Sequence, residues 1–212
     1  DGIKIAFASD RNGNFDIFIM DMEGGSPKQL TTHSANEYPE TFSDAKHILY
    51  SAAIQQDAKD SQFPSGQFPQ INGGRPELYS SLAMESLALN KKGDKLLYQD
   101  KKGYEDPWRK HHQSSITRDI WLCTLDREHS FQKITSFKGE DRNPVWATDG
   151  SSFYYLSEEK GSFNIFKNDL TGRNSRQITN HTMHPVRFLT SDNNGNLCYG
   201  YDGEIYTVKE GK

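Results

Sequence analysis

The stretch SDRNGNFDIF, Ser9 to Phe18, aligns without a gap on SEEKGSFNIF, Ser157 to Phe166, and Gln29-Leu30-Thr31 falls on Gln177-Ile178-Thr179 at the same offset of 148 residues. A chain that repeats itself in this way folds from equivalent units, each too small to bury its own apolar face and each completed by a neighbour. Weaker copies lie between the two. Short aromatic-rich runs open at Ile5, Ile48, Leu96, Phe153 and Leu197, with spacings of 43, 48, 57 and 44 residues.

A period near 43 residues, made of short strands separated by Gly, Asn and Asp turns, is that of the four-stranded blade of a β-propeller. No long stretch of 3.6-residue periodicity competes with it. The expected fold is all-β: a β-propeller of four-stranded blades, about four blades plus half of a fifth, forming part of a six- or seven-bladed ring. Residues 1–212 are read as one domain with loop insertions near 55–76 and 104–117. Because the fifth copy stops after two strands joined at Asp202-Gly203, the chain is expected to be a portion of a longer propeller.

Within the first copy the expected strands are Ile5 to Ser9, Phe15 to Asp21 and Lys28 to Thr31. Arg11-Asn12-Gly13-Asn14 makes the first turn, since Gly and Asn tolerate positive φ. A fourth strand is expected near Pro39 to Phe42, ending the same copy. Aromatic and Asp-Gly positions that recur in every copy belong to the scaffold, because a catalytic residue is needed once.

Composition narrows the function. A net charge of -4 and a pI near 6.0 give no reason to expect nucleic acid. Hydrophobic content of 33% with a mean hydropathy of -0.84 would suit a disordered chain, but the aromatic share of 12% points to a packed β core. No apolar run approaches the length of a membrane span, and the first residues lack the apolar core of a signal peptide. Cys123 and Cys198 sit in apolar stretches and read as buried thiols.

IAFASDRNGNFDIFIMDMEGGSPKQLT, with its copy PVWATDGSSFYYLSEEKGSFNIF, resembles the TolB-type, WD-like propeller repeat. GYEDPWRKHHQSSITRDIW followed by GEDRNPVW resembles the N-terminal propeller of tricorn-like serine proteases, of the tail-processing class. The resemblance implies that the catalytic serine and histidine lie in a downstream peptidase domain and that no catalytic residue and no cofactor belong to these 212 residues. The partners it implies are a peptide or protein substrate, protease domains of the same chain, and further copies of the full-length protein. It leans toward a periplasmic or other extracytoplasmic location. Two other readings stay open: a TolB-like envelope adaptor that binds a partner protein, and a propeller lyase with histidines holding a metal.

The candidate site follows from one irregular copy. Three residues separate Gly13 from Asp16 and Gly161 from Asn164, but sixteen separate Gly103 from Asp119, an insertion of 13. Long loops on a repeat scaffold escape the packing demands of the blade and carry function. The expected ligand-binding residues are Glu105, Trp108, Arg109, Lys110, His111, His112, Arg118 and Asp119, joined by Asp141 and Arg142 from the segment Lys138 to Pro144. Arginine and lysine can hold carboxylates, and Trp108 can stack on a side chain. The same charges can equally pair among themselves and pin the loop. His111-His112 beside Ser114-Ser115 is not expected to form a triad, since adjacent residues on an extended chain point apart. His111, His112, His181 and His184 lack the spacing of a zinc motif.

Overall fold

A computed structural model describes residues 2–52, 65–68, 77–80, 82–103, 113–126 and 128–210; for 65–68 and 77–80 it describes the backbone. Among these residues eighteen strands form five antiparallel sheets. Sheet one holds β1 (Lys4–Ser9), β2 (Asp16–Asp21) and β3 (Lys28–Gln29). Sheet two holds β4 (Glu37–Phe42), β5 (Ile48–Ala52), β6 (Ser65–Phe68) and β7 (Glu77–Ser80). Sheet three holds β8 (Met84–Leu89), β9 (Lys95–Asp100), β10 (Ile120–Thr124) and β11 (Ser130–Lys133). Sheet four holds β12 (Asp141–Trp146), β13 (Ser152–Ser157), β14 (Asn164–Asp169) and β15 (Arg176–Gln177). Sheet five holds β16 (Arg187–Ser191), β17 (Asn196–Tyr201) and β18 (Glu204–Lys209). No helix among the described residues is long and apolar enough to cross a membrane.

The repeat seen in the sequence is a repeat of register. Ser9 faces Asp16 across the β1–β2 hairpin, and Ser157 faces Asn164 across β13–β14. Both turns close on a glycine at positive φ, Gly13 at 122° and Gly161 at 108°, whose amides donate to Asp10 and Glu158 at 2.9 Å. A side chain there would resist that φ, which is why glycine stands at the turn.

One expectation is corrected. The strand placed near Pro39 to Phe42 does not close the first sheet; it is β4 and pairs with β5, as β12 pairs with β13 and β16 with β17. The turn itself explains this. Ser43 donates its amide to His47 O at 3.0 Å, and so short a reversal can only lay the next strand beside the last. The link from β3 to β4 is the crossover between sheets. The stretch between Ile54 and Pro76 contains β6, so sheet two completes four strands; the rest of the insertion expected near 55–76 lies outside the described residues.

The chain divides into two compact units, Asp1–Glu85 and Ser86–Lys212. In the first, Ile17 from β2 packs with Tyr50 and Ala52 from β5, with Leu30 at the edge. In the second, β13 is buried along its whole length and the strand period of two sorts its side chains. Phe153 and Tyr155 meet Leu97, Ile120 and Leu122 of sheet three. Tyr154 and Leu156 meet Val186, Leu189 and Leu197 of sheet five and its approach. Complete burial of each such side chain contributes about 1.5–3 kcal/mol, so sheet four is the best anchored of the unit.

Three crossovers share one hydrogen-bond pattern. The amides of Ile17, Ile120 and Ile165 each donate to a threonine hydroxyl, Thr31, Thr135 and Thr179, at 2.9 Å. The amides of Leu30, Ile134 and Ile178 return to those isoleucine carbonyls at 2.8 Å. Finally Glu37, Asp141 and Val186 donate to Phe15, Arg118 and Phe163 O at 2.7, 3.0 and 2.9 Å. The threonine satisfies a buried amide just past the point where the short third strand ends, and so lets the chain leave one sheet for the next.

Candidate functional site: the base of the long hairpin loop

The inserted loop joins β9 to β10, and its two ends are held firmly. Asp100 and Asp119 face one another: the Asp100 amide donates to Asp119 O at 3.1 Å, and Asp100 Oδ1 accepts the Asp119 amide at 2.8 Å. Trp121 Nε1 donates to the other Asp100 oxygen at 3.0 Å. Ser114 starts a turn that brings the chain back, with Thr117 Oγ1 donating to its carbonyl at 2.9 Å.

Two charged clusters stand on this base. In the first, Glu140 is the hub. Its carboxylate accepts from Arg118 Nη1 at 3.0 Å and lies 3.7 Å from Arg142 Nη1, and all three side chains are at most 10% exposed. The Glu140 amide donates to Glu158 Oε1 at 3.3 Å. Arg142 lies over the Phe163 ring at 4.0 Å, a cation–π contact strengthened by its dry surroundings. Burial pulls the Arg142 pKa down to about 10; Glu140 and Glu158 oppose that, while Arg187 and Arg118 add to it. The bulge at Arg142–Val145 sets Asn143 at a φ of 51°, with its amide on Gln99 Oε1 at 2.9 Å and its side chain on Ser86 Oγ at 3.3 Å. Bulges of this kind re-aim the strand beside them.

In the second cluster Asp119 receives Lys102 and, at 2.8 Å, Lys133. Lys102 Nζ also donates to Thr117 O at 2.7 Å and lies 3.3 Å from Asp100. Burial opposes its charge, but Asp119 and Asp100 outweigh that and hold its pKa above the usual lysine value. Behind Asp119, Asp141 is 1% exposed and neither of its oxygens meets a donor in hydrogen-bonding geometry. Burial pushes its carboxyl up to about 7; the nearby hydroxyls of Ser157 and Thr135 act against this, and Asp119 and Glu159 add to it.

Beside the second cluster opens a cleft of about 410 Å³. Lys102, Lys133 and Lys138 line it with the hydroxyl residues Ser114, Ser115 and Ser136, against one carboxylate, Asp119. Gly139 lets the chain pass here: a Cβ would stand 2.3 Å from the Phe137 ring, in the same wall.

The structure therefore brings together Arg118, Asp119, Asp141 and Arg142, which are 24 residues apart at most in sequence: the first two precede β10 and the last two open β12. Glu105, Trp108, Arg109, Lys110, His111 and His112 lie outside the described residues. Glu140, the hub, escaped the sequence reading although it sits in the singled-out segment Lys138 to Pro144; an acid flanked by Asp141 and Arg142 does not announce which of the two acids is paired. Lys102 and Lys133 carried no signal beyond their charge. His181 and His184 are placed apart from this site. His181 stacks on Tyr201 with ring centroids 3.8 Å apart, and its Nε2 lies 3.2 Å from the Tyr199 hydroxyl. Among the described residues no group of three or more His, Cys, Asp or Glu side chains is placed to hold a metal. Both cysteines are free; Cys123 is buried, and burial pushes its thiol up to about 11, while Cys198 is half-buried.

Antiparallel sheets of up to four strands, joined by one recurring crossover, define a β-propeller domain. The model of the tricorn protease N-terminal beta propeller domain matches residues 1–212, and the chain belongs to that family. Tricorn protease homolog 1 of Streptomyces coelicolor is 22% identical over 215 residues, covering 99% of this chain and 19% of that protein. TolB from Acinetobacter baumannii superposes with a TM-score of 0.72 at 16% identity, over 98% of this chain and 50% of that one. The crystal structure of the tricorn protease gives 0.55 at 14% identity, over 98% of this chain and 25% of that one. The matched regions span between 10% and 19% of the length of the curated relatives.

Proposed function

We propose that this propeller domain receives peptide segments for a tricorn-like serine protease, and that the base of the β9–β10 loop is where it does so. The observation that carries the reading is the lysine-rich cleft at the foot of the loop. Three ammonium groups and three serine hydroxyls face one carboxylate there, a surface suited to an acidic stretch of extended peptide. Asp119 neutralises Lys102 and Lys133 in part, while Lys138 carries no ion pair among the described residues and is exposed. The buried Arg118–Glu140–Arg142 network keeps the two chain segments of the cleft in register. Chemistry is assigned to peptidase domains joined to it in a longer protein, as in the relatives, which are several times its length.

Fluorescence anisotropy with labelled acidic and neutral peptides of equal length tests this. Acidic peptides are expected to bind, Lys138→Glu to weaken them at least tenfold, and added salt to weaken them further, as screening requires. Equal binding of both peptides, or an unchanged Lys138→Glu, would remove the cleft from the reading.

A further inference from the structure

The three crossovers are alike in their backbone and unlike in two side chains. Where an aspartate stands at the head of the second strand, as Asp16 of β2 or as Asp119 just before β10, the crossover ends in a second buried acid, Glu37 or Asp141. Where that strand opens with Asn164, the crossover ends in Val186. The asparagine satisfies itself: Oδ1 accepts from the His181 amide at 2.8 Å and the Thr179 hydroxyl at 2.9 Å, and Nδ2 donates to His181 O at 2.9 Å and Ser162 O at 3.1 Å. An aspartate at that position has no hydrogen to donate, and in both copies where it occurs an acid stands across from it.

Neither acid is built to be ionised. Glu37 and Asp141 are each 1% exposed; Glu37 Oε2 and both Asp141 oxygens meet no donor in hydrogen-bonding geometry. The groups facing Glu37 are Asp16 at the head of β2, the Thr31 hydroxyl of the crossover and the Tyr50 hydroxyl of β5. Those facing Asp141 are Asp119 before β10, itself paired with Lys102 and Lys133, Thr135 of the crossover, Ser157 of β13 and Glu159 beyond it. No cation heads either set. A buried carboxylate with no cation beside it costs several kcal/mol, more than a neighbouring hydroxyl returns, and a second carboxylate beside it costs more, so the proton stays.

We propose that the crossovers ending in Glu37 and Asp141 are proton-dependent latches: each acid is kept neutral beside an aspartate carboxylate, and loss of its proton loosens the crossover, while the Val186 crossover, whose titratable groups are His181 and His184, carries no such acid. Burial is the chief reason that both carboxyls titrate near 7. The folded values lie above the unfolded ones, so the native chain holds extra protons between about pH 4 and 7. The stability this confers is complete below the unfolded carboxylate range and is lost as pH rises through 7. At Asp141 the effect reaches the candidate site, because its amide holds Arg118 O and its neighbour Asp119 holds the cleft lysines.

Amide hydrogen exchange on the 212-residue chain tests this with a control inside the molecule. The amides of Ile17, Ile120 and Ile165 make the same bond to a threonine, and differ in the residue that ends their crossover. Between pH 5 and 8 the protection of Ile17 and Ile120 is expected to fall by on the order of a hundredfold for an acid whose open state titrates normally, while that of Ile165, whose crossover carries His181 and no buried acid, does not fall. In thermal unfolding, Asp141→Asn and Glu37→Gln should each remove roughly 5–10 °C of the fall in midpoint over the same range. Protection that stays in step at all three isoleucines would overturn the proposal, as would infrared spectra of the parent chain showing no protonated carboxyl at pH 5.5; neither depends on a variant folding.

Discussion

Replacing Glu140 by glutamine removes one charge and almost no volume, and it leaves Arg118 and Arg142 facing each other without the carboxylate 3.0 and 3.7 Å away. Both guanidiniums are nearly dry, at 9% and 10% exposure, so water cannot replace the lost charge. Breaking a buried pair by removing one partner costs about 3–5 kcal/mol. For a chain of 212 residues each kcal/mol moves the midpoint by roughly 2–4 °C, so Glu140→Gln should lower it by roughly 6–20 °C. The contrast is Lys4–Asp21, which is shorter, at 2.6 Å, but 37% and 61% exposed. Lys4→Met should cost under about 1 kcal/mol, because solvent screens an exposed pair however close it is. Thermal unfolding followed by circular dichroism, with Arg118→Met and the double variant completing a cycle, reads the coupling directly. A Glu140→Gln loss no larger than that of Lys4→Met would show that burial does not decide the strength of this network, and the reasoning would fail.

Two further outcomes are expected. Thr135→Val and Thr179→Val keep the shape of the side chain but leave the Ile120 and Ile165 amides without an acceptor, for about 1–3 kcal/mol each by urea unfolding; Thr179→Val should be the costlier, since that hydroxyl also donates to Asn164 Oδ1. Gly139→Ala places a methyl 2.3 Å from the Phe137 ring, and the resulting overpacking should cost about 1–3 kcal/mol and weaken acidic peptides in the anisotropy assay, because Phe137 lines the cleft.

The repeat was legible because it is a repeat of turns and strand heads, and these are short-range features. Gly13 and Gly161, Asp16, Asp119 and Asn164, and Thr31 and Thr179 all occupy equivalent places in the fold, and the length of the insertion before Asp119 follows from them. The phase of the sheets was misjudged for a physical reason: the sequence period marks where a pattern recurs, and any of its four gaps could be the one that changes sheet. The tight turn after Phe42 settles it, since Ser43 and His47 bond across the reversal and join β4 to β5. At the site, Arg118, Asp119, Asp141 and Arg142 could be singled out by charge and by their position beside the insertion. Which charges pair depends on the crossover that returns Asp141 to Arg118 O, a contact between residues 23 apart that no local pattern carries.

Comparison of the copies separates scaffold from site more sharply than any single residue does. The second strand is preceded by Phe15, Arg118 and Phe163, each of which accepts the amide that ends its crossover. Phe15 packs on Tyr38 with centroids 5.6 Å apart, and Phe163 supports Arg142; both hold the strand head by apolar contact. In the copy with the long loop the aromatic gives way to Arg118, and the residue before the crossover acid is Glu140, where the first copy has Asn36, whose Oδ1 accepts the Phe15 amide at 3.1 Å. An apolar anchor has thus been exchanged for a buried ion pair, which is the weaker choice for stability alone. The exchange occurs in the one of these three copies whose hairpin is lengthened and whose base is lined with lysines, and Glu140 supplies the charge that an arginine needs where the fold elsewhere places a phenylalanine.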